Sequence, residues 1–101
     1  MCDDRGVARV FESLGESTPD EWYVTLVLAL DDDGRFELRD ERTCYWGAAT
    51  LRASGRWRDE AGSFALVVEV SDHPAWAAGT TIAAARNDGA VLIDGTKLYP
   101  R

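Results

Sequence analysis

The chain has 101 residues, enough for one domain spanning 1–101, and sets 11 Lys+Arg against 18 Asp+Glu for a formal charge of −7. Hydrophobic residues make up 46% of it and aromatic residues 10%, which supplies one core and excludes a charge-rich disordered chain. The negative charge is spread along the whole sequence and repels phosphate backbones, so no nucleic-acid partner is expected.

Two cysteines, Cys2 and Cys44, are too few for a disulfide scaffold and, with the single His73, too few for a zinc site. Free thiols in a reducing compartment are expected, with one bridge from the amino terminus to the Cys44 loop as the alternative. No segment approaches the ~18 apolar residues that cross a bilayer. A cytoplasmic protein is therefore expected, with no membrane contact unless Cys2, followed by Asp3 and Asp4, is the lipidated start of a mature lipoprotein.

At the amino terminus Val7, Val10, Phe11 and Leu14 fall at i, i+3, i+4 and i+7, with Gly15 beyond them. This spacing predicts a short amphipathic helix over residues 7–14. A strand there would put Arg9 beside Val7 and Phe11 on one face, and Glu12 beside Val10 and Leu14 on the other.

After the polar connector 16–20, which contains Pro19, the period becomes two. Trp22, Val24, Leu26, Leu28 and Leu30 share one face of a long strand. Asp31, Asp32, Asp33 and Gly34 supply a reversal. The second arm turns Phe36 and Leu38 inward and Arg35, Glu37 and Arg39 outward, and reads as leaving the core through Asp40, Glu41 and Arg42. Residues 43–47 read as a connection or strand end.

Leu51, Ala53, Gly55 and Trp57 then alternate with Arg52, Ser54, Arg56 and Arg58. Residues 59–62 turn the chain into a strand lined by Phe64, Leu66, Val68 and Val70. The segment 72–79 reads as a loop, and shorter strands follow at 80–86, 90–93 and 96–99, the last two joined by an Asp94-Gly95 turn.

Seven strands joined by short turns predict a mainly β fold, an antiparallel meander that curls into a small barrel or half-barrel with the helix covering an opening. Trp22, Trp57, Phe36 and Phe64 are expected inside. Arg52, Arg56 and Arg58 are expected to pair across strands with Glu37 and Glu41. A homodimer through a sheet edge is compatible with such a layout.

No constellation predicts catalysis. His73 has only Asp72 beside it and reads as a surface turn, the Asp31–Asp33 run lacks calcium-loop spacing, and no phosphate loop or nucleophile elbow occurs. No metal and no cofactor are expected. Tyr45, Trp46 and Trp76 lie in loops where exposed aromatics mark contact surfaces, the alternative being that their rings fold over a barrel end as a hydrophobic plug; with Trp57, whose small neighbours Ala53 and Gly55 either accommodate its ring or leave space, they are the candidate binding residues.

The stretch from Thr25 through Asp31-Asp32-Asp33-Gly34 to Leu38, then Ser54-Gly55-Arg56-Trp57 and 64–70, resembles lipocalin-like small meander domains, including those of NlpE-type copper-resistance lipoproteins, over residues 22–70. The resemblance implies a barrel that binds a small ligand or protein partner without chemistry of its own. The paired cysteines of the copper-linked members are missing, and only the architecture carries over. Two functions follow as expectations: a non-enzymatic module binding a small apolar ligand or a protein through aromatic loops at one barrel end, or an acidic inhibitor or immunity-type protein that meets a basic target.

Overall fold

The computed structural model describes residues 9–19 and 21–101. Nine strands follow one another: β1 (Arg9–Ser13), β2 (Glu16–Ser17), β3 (Tyr23–Leu30), β4 (Arg35–Cys44), β5 (Gly47–Glu60), β6 (Ser63–Ser71), β7 (Thr81–Asn87), β8 (Ala90–Ile93) and β9 (Thr96–Pro100). From β3 onward each pairs antiparallel with the next, as short turns dictate. β1 pairs with both β9 and β3, and this closes the sheet into a barrel of eight staves, β2 being a two-residue continuation beside the start of β3.

The seven strands read from the sequence are present, and the predicted amino-terminal helix is not: Arg9–Ser13 is a strand, while Val7 lies outside the described residues. Only a strand can close the barrel here, since the free edges of β3 and β9 both need main-chain partners. Phe11 and Ser13 point inward, whereas Leu14, which the helix would have buried, is 77% exposed. Arg9 shares the Phe11 face without harm because it sits at the barrel rim, its guanidinium carbon 5.3 Å from the centre of the Phe64 ring.

Inside, Leu28, Leu30, Phe36, Leu38, Ala53, Phe64, Leu66, Val68, Val91, Ile93 and Leu98 form one continuous apolar filling. Trp57 packs against it from the side, edge-on to Phe64. Gly55 stands at a bulge where β5 shifts register against β6, and a Cβ there would run into the Val67 carbonyl. The glycine is therefore required by the close approach of two strands. The Asp94-Gly95 turn has the expected hairpin conformation, with φ of 51° and 81°.

Antiparallel order places the connections at two opposite ends. The lower end carries turns 31–34, 61–62 and 88–89. The upper end carries residues 14–22, turn 45–46, loop 72–80 and turn 94–95. Of the cross-strand ion pairs expected, Arg52 with Glu37 forms; Arg56 pairs instead with Glu69 of β6, Arg58 with Glu60 of its own strand, and Arg39 with Glu37 and Glu41 along β4. Each is exposed and contributes at most about 1 kcal/mol. Among the described residues no helix is long and apolar enough to cross a membrane.

Candidate functional site

The inner face of β4 runs Phe36, Leu38, Asp40, Arg42, and so changes from apolar to charged as it rises toward the upper end. The strand does not leave the barrel at Asp40, as its polarity suggested; the alternation continues and carries a carboxylate inside. Asp40 is 4% exposed. Arg42 donates to it twice, Nε to Oδ1 at 2.9 Å and a terminal nitrogen to Oδ2 at 3.1 Å.

His73 supplies a third bond, its Nε2 lying 2.8 Å from Asp40 Oδ2. Nδ1 accepts the Ala75 N–H at 3.0 Å, which assigns the ring proton to Nε2 and leaves the imidazole neutral. The surface-turn reading of His73 does not hold, for its side chain is 9% exposed. The 72–80 loop is itself fastened: His73 N–H donates to Ser71 Oγ, and Trp76 N–H to the His73 carbonyl. Burial works to raise the Asp40 pKa, but hydrogen bonds from Arg42 and His73, with the Arg42 charge, bring it below the ordinary carboxylate value.

Trp76 stacks on His73, ring centres 3.8 Å apart at 18°. It is 4% exposed and belongs to the core, not to an exposed loop surface as its sequence context predicted. The loop folds back over the barrel end, so its indole becomes the apolar lid of the filling below. Its Nε1–H has no hydrogen-bond partner among the described residues.

These residues border a cavity of about 220 Å³ that opens at the upper end. Val24, Leu26, Ala75 and Trp76 give it apolar surface, and Ser13, Thr96, Arg42, Glu16 and Asp94 give it hydroxyls and charge. Ser13 Oγ accepts the Leu26 N–H at 2.9 Å, so its own proton remains available to a guest. Both His73 nitrogens are occupied, which leaves no ring lone pair to act as a base. Among the described residues no group of three or more His, Cys, Asp or Glu side chains is arranged to hold a metal.

The four sequence-predicted binding residues are not brought together. Tyr45 and Trp46 are exposed on the β4–β5 turn, 87% and 58%, with ring centres 4.6 Å apart. Trp46 meets Trp22 edge-on at 6.2 Å, so Trp22 belongs to this rim and not to the filling where the sequence placed it. Trp76 lies at the same end but inside. Trp57 is at the other end, its Nε1 donating to the Asp31 carbonyl at 2.9 Å. Cys44, a free thiol, points its sulfur at the Gly47 carbonyl, and Cys2 lies outside the described residues.

Asp40 and Arg42 were missed by sequence reasoning. The signal was the unbroken period of two through Phe36, Leu38, Asp40 and Arg42. Nothing local announces that His73, 33 residues away, is their partner. Comparison with protein-family models, with curated proteins and with solved structures finds no match.

Proposed function

We propose that this protein is a non-enzymatic binding module that takes a small molecule, or one side chain of a protein partner, into the upper mouth of the barrel. The observation that carries the reading is the buried Asp40–Arg42–His73 group set beside an open cavity. Burying charge is expensive, and a barrel built for folding alone gains more from an apolar side chain at position 40. At about 220 Å³ the cavity is below the ~300–1,000 Å³ of drug-sized pockets and suits a small guest. An eight-stranded barrel has room for such a guest only near its mouth, since side chains fill the rest.

The guest is amphiphilic: an apolar part against Val24, Leu26 and Trp76, and a polar part among Ser13, Thr96 and Arg42. Tyr45, Trp46 and Trp22 form the rim over which it, or a partner's surface, passes. This use agrees with what the resemblance of residues 22–70 to lipocalin-like domains implies. A cytoplasmic setting without cofactor goes with the reading.

Native mass spectrometry of the chain purified from its own cells tests this, paired with nuclear magnetic resonance of the Trp76 indole N–H on addition of small amphiphilic fragments. An adduct, or a shift at Trp76 that Asp40→Asn removes while the fold persists, is the expected result. A bare mass and an unmoved indole signal overturn the proposal.

The charge of −7 and the acidic 31–33 turn at the lower end favour a second reading, an acidic inhibitor of a basic protein. Such binding weakens steeply between 0.1 and 1 M salt, as the Debye length falls from ~10 to ~3 Å, whereas apolar capture at the mouth persists.

A further inference from the structure

The upper halves of β4 and β5 form an arm whose outer edge no strand covers among the described residues. β6 ends at Ser71 opposite Ala53. Beyond it Asp72 closes the ladder: the Arg52 N–H donates to Asp72 Oδ1 at 2.6 Å, and the Arg52 carbonyl accepts the Asp72 N–H at 3.0 Å. Arg52 thus directs its main-chain groups away from β4. Such groups alternate sides along an antiparallel strand, so Ala48 and Thr50 direct theirs the same way, into solvent.

Residues 47–51 read Gly-Ala-Ala-Thr-Leu and pair with β4 on one side only. Exposed edges are ordinarily guarded by lysine, proline or an inward charge, and this one carries none. Three large apolar side chains stand near it in the open: Tyr45 and Trp46 at the arm's tip, and Val70, 67% exposed, near the end of β6.

We propose that this edge pairs with the same edge of a second copy, antiparallel about a two-fold axis at Ala49. Ala48 of each copy then lies opposite Thr50 of the other, and both pairs exchange the N–H and carbonyl groups left free in the single chain. Gly47 faces Leu51, and Ala49 faces its own counterpart. Every residue of the edge meets a neutral neighbour, and the pairing stops short of Arg52, whose main-chain groups are already bonded to Asp72.

The second copy's β5 also continues the column in which β6 stops. Its aromatic tip arrives at the exposed Val70. One arrangement therefore satisfies the free main-chain groups and covers the three exposed apolar side chains, and the interface is isologous and closed. It does not depend on what the barrel mouth binds.

Sedimentation equilibrium from micromolar to millimolar chain concentration tests the pairing. A reversible dimer is expected. It tightens with added salt, because two copies of charge −7 repel each other and salt screens that repulsion. Ala49→Lys lowers the net charge yet sets two ammonium groups face to face, and weakens the dimer at least about tenfold.

Register is tested separately with Cys2 and Cys44 both changed to Ser. Ala49→Cys forms a disulfide-linked dimer on mild oxidation, since facing residues at a non-hydrogen-bonded position lie within disulfide reach. Thr50→Cys, which faces Ala48, crosslinks poorly. Circular dichroism confirms that each variant is folded, and the cysteine pair decides the matter if Ala49→Lys is not. A single-chain mass at millimolar concentration in high salt overturns the proposal, as does a dimer indifferent to Ala49→Lys or one that crosslinks equally through either cysteine.

Discussion

Asp40 and Asp31 are two carboxylates on neighbouring elements whose surroundings push them in opposite directions. For Asp40, burial raises the pKa but the bonds from Arg42 and His73 outweigh it, so the folded value lies below the unfolded one. Its contribution to stability is then fully present above the ordinary carboxylate pKa and is lost as pH falls through the folded value. Asp40→Asn should accordingly flatten the acid side of the stability profile, measured as thermal midpoint against pH from neutral downward. Asp40→Ala removes the partner of Arg42 and His73. Breaking a buried pair costs about 3–5 kcal/mol, but Arg42 is 39% exposed and regains water, so a loss of about 1–3 kcal/mol in denaturant unfolding is expected. Asp31 behaves in the reverse sense: burial first, then Asp33, Glu37 and Asp32, raise its pKa against the pull of Arg35. Its ionisation works against folding at neutral pH, and that penalty disappears as pH falls below its unfolded pKa. Asp31→Asn keeps the main-chain carbonyl that receives the Trp57 N–H, and should raise neutral-pH stability by up to about 0.5 kcal/mol, with the gain vanishing in acid.

At the scale of the element, β1 does the work that the helix-like spacing concealed. Phe11 is 5% exposed and its ring centre lies 6.4 Å from that of Phe64. Phe11→Ala should cost about 3–5 kcal/mol in equilibrium unfolding, far more than a residue on a loosely docked surface helix would. Gly55→Ala makes a comparable test of the β5 bulge: the new methyl meets the Val67 carbonyl, and a loss of at least about 2 kcal/mol is expected. These two elements also show what the sequence could and could not convey. Strands β3 to β9 were legible because a half-buried strand writes its two faces into alternate letters, as in Leu26, Leu28 and Leu30 against Thr25, Val27 and Ala29. β1 is short enough that Val10, Phe11 and Leu14 fit a helical stripe as well as a strand. Its inward set, Phe11 with Ser13, is half polar because Ser13 serves the Leu26 N–H at the mouth. The candidate site was hidden for the same reason. Asp40 and Arg42 occupy core-facing positions with surface-type side chains, and Trp76 and His73 lie in a loop whose burial is decided by what it folds over. That Tyr45 and Trp46 lie on a connection was legible, since their segment has no apolar alternation, but whether their rings plug the barrel end or stand in solvent was not.

The whole molecule closes by joining the two ends of the chain. β1 pairs with β9, Phe11 opposite Pro100, the Arg101 N–H donates to the Val10 carbonyl, and the Arg101 side chain bonds Glu12. Strands β3 to β6 are by contrast joined by tight turns, and their pairings are the most extensive in the sheet, ten residue pairs between β4 and β5. Local hairpins lose little chain entropy on forming, whereas the β1–β9 seam must close a loop of nearly the full sequence before its contacts contribute. Folding should therefore be slow for a chain of this size, in the millisecond-to-second range typical of β-barrels, and the seam should form after the transition state. Two variants separate the halves of that statement. Leu98→Ala removes a fully buried side chain from β9, and should speed unfolding while leaving the folding rate nearly unchanged. Leu38→Ala, equally buried in β4, should slow folding, because β3 to β5 form the nucleus onto which the remaining strands wrap. Stopped-flow chevrons of the two variants check this, and equal effects on the folding limb would show that the barrel instead closes in one concerted step.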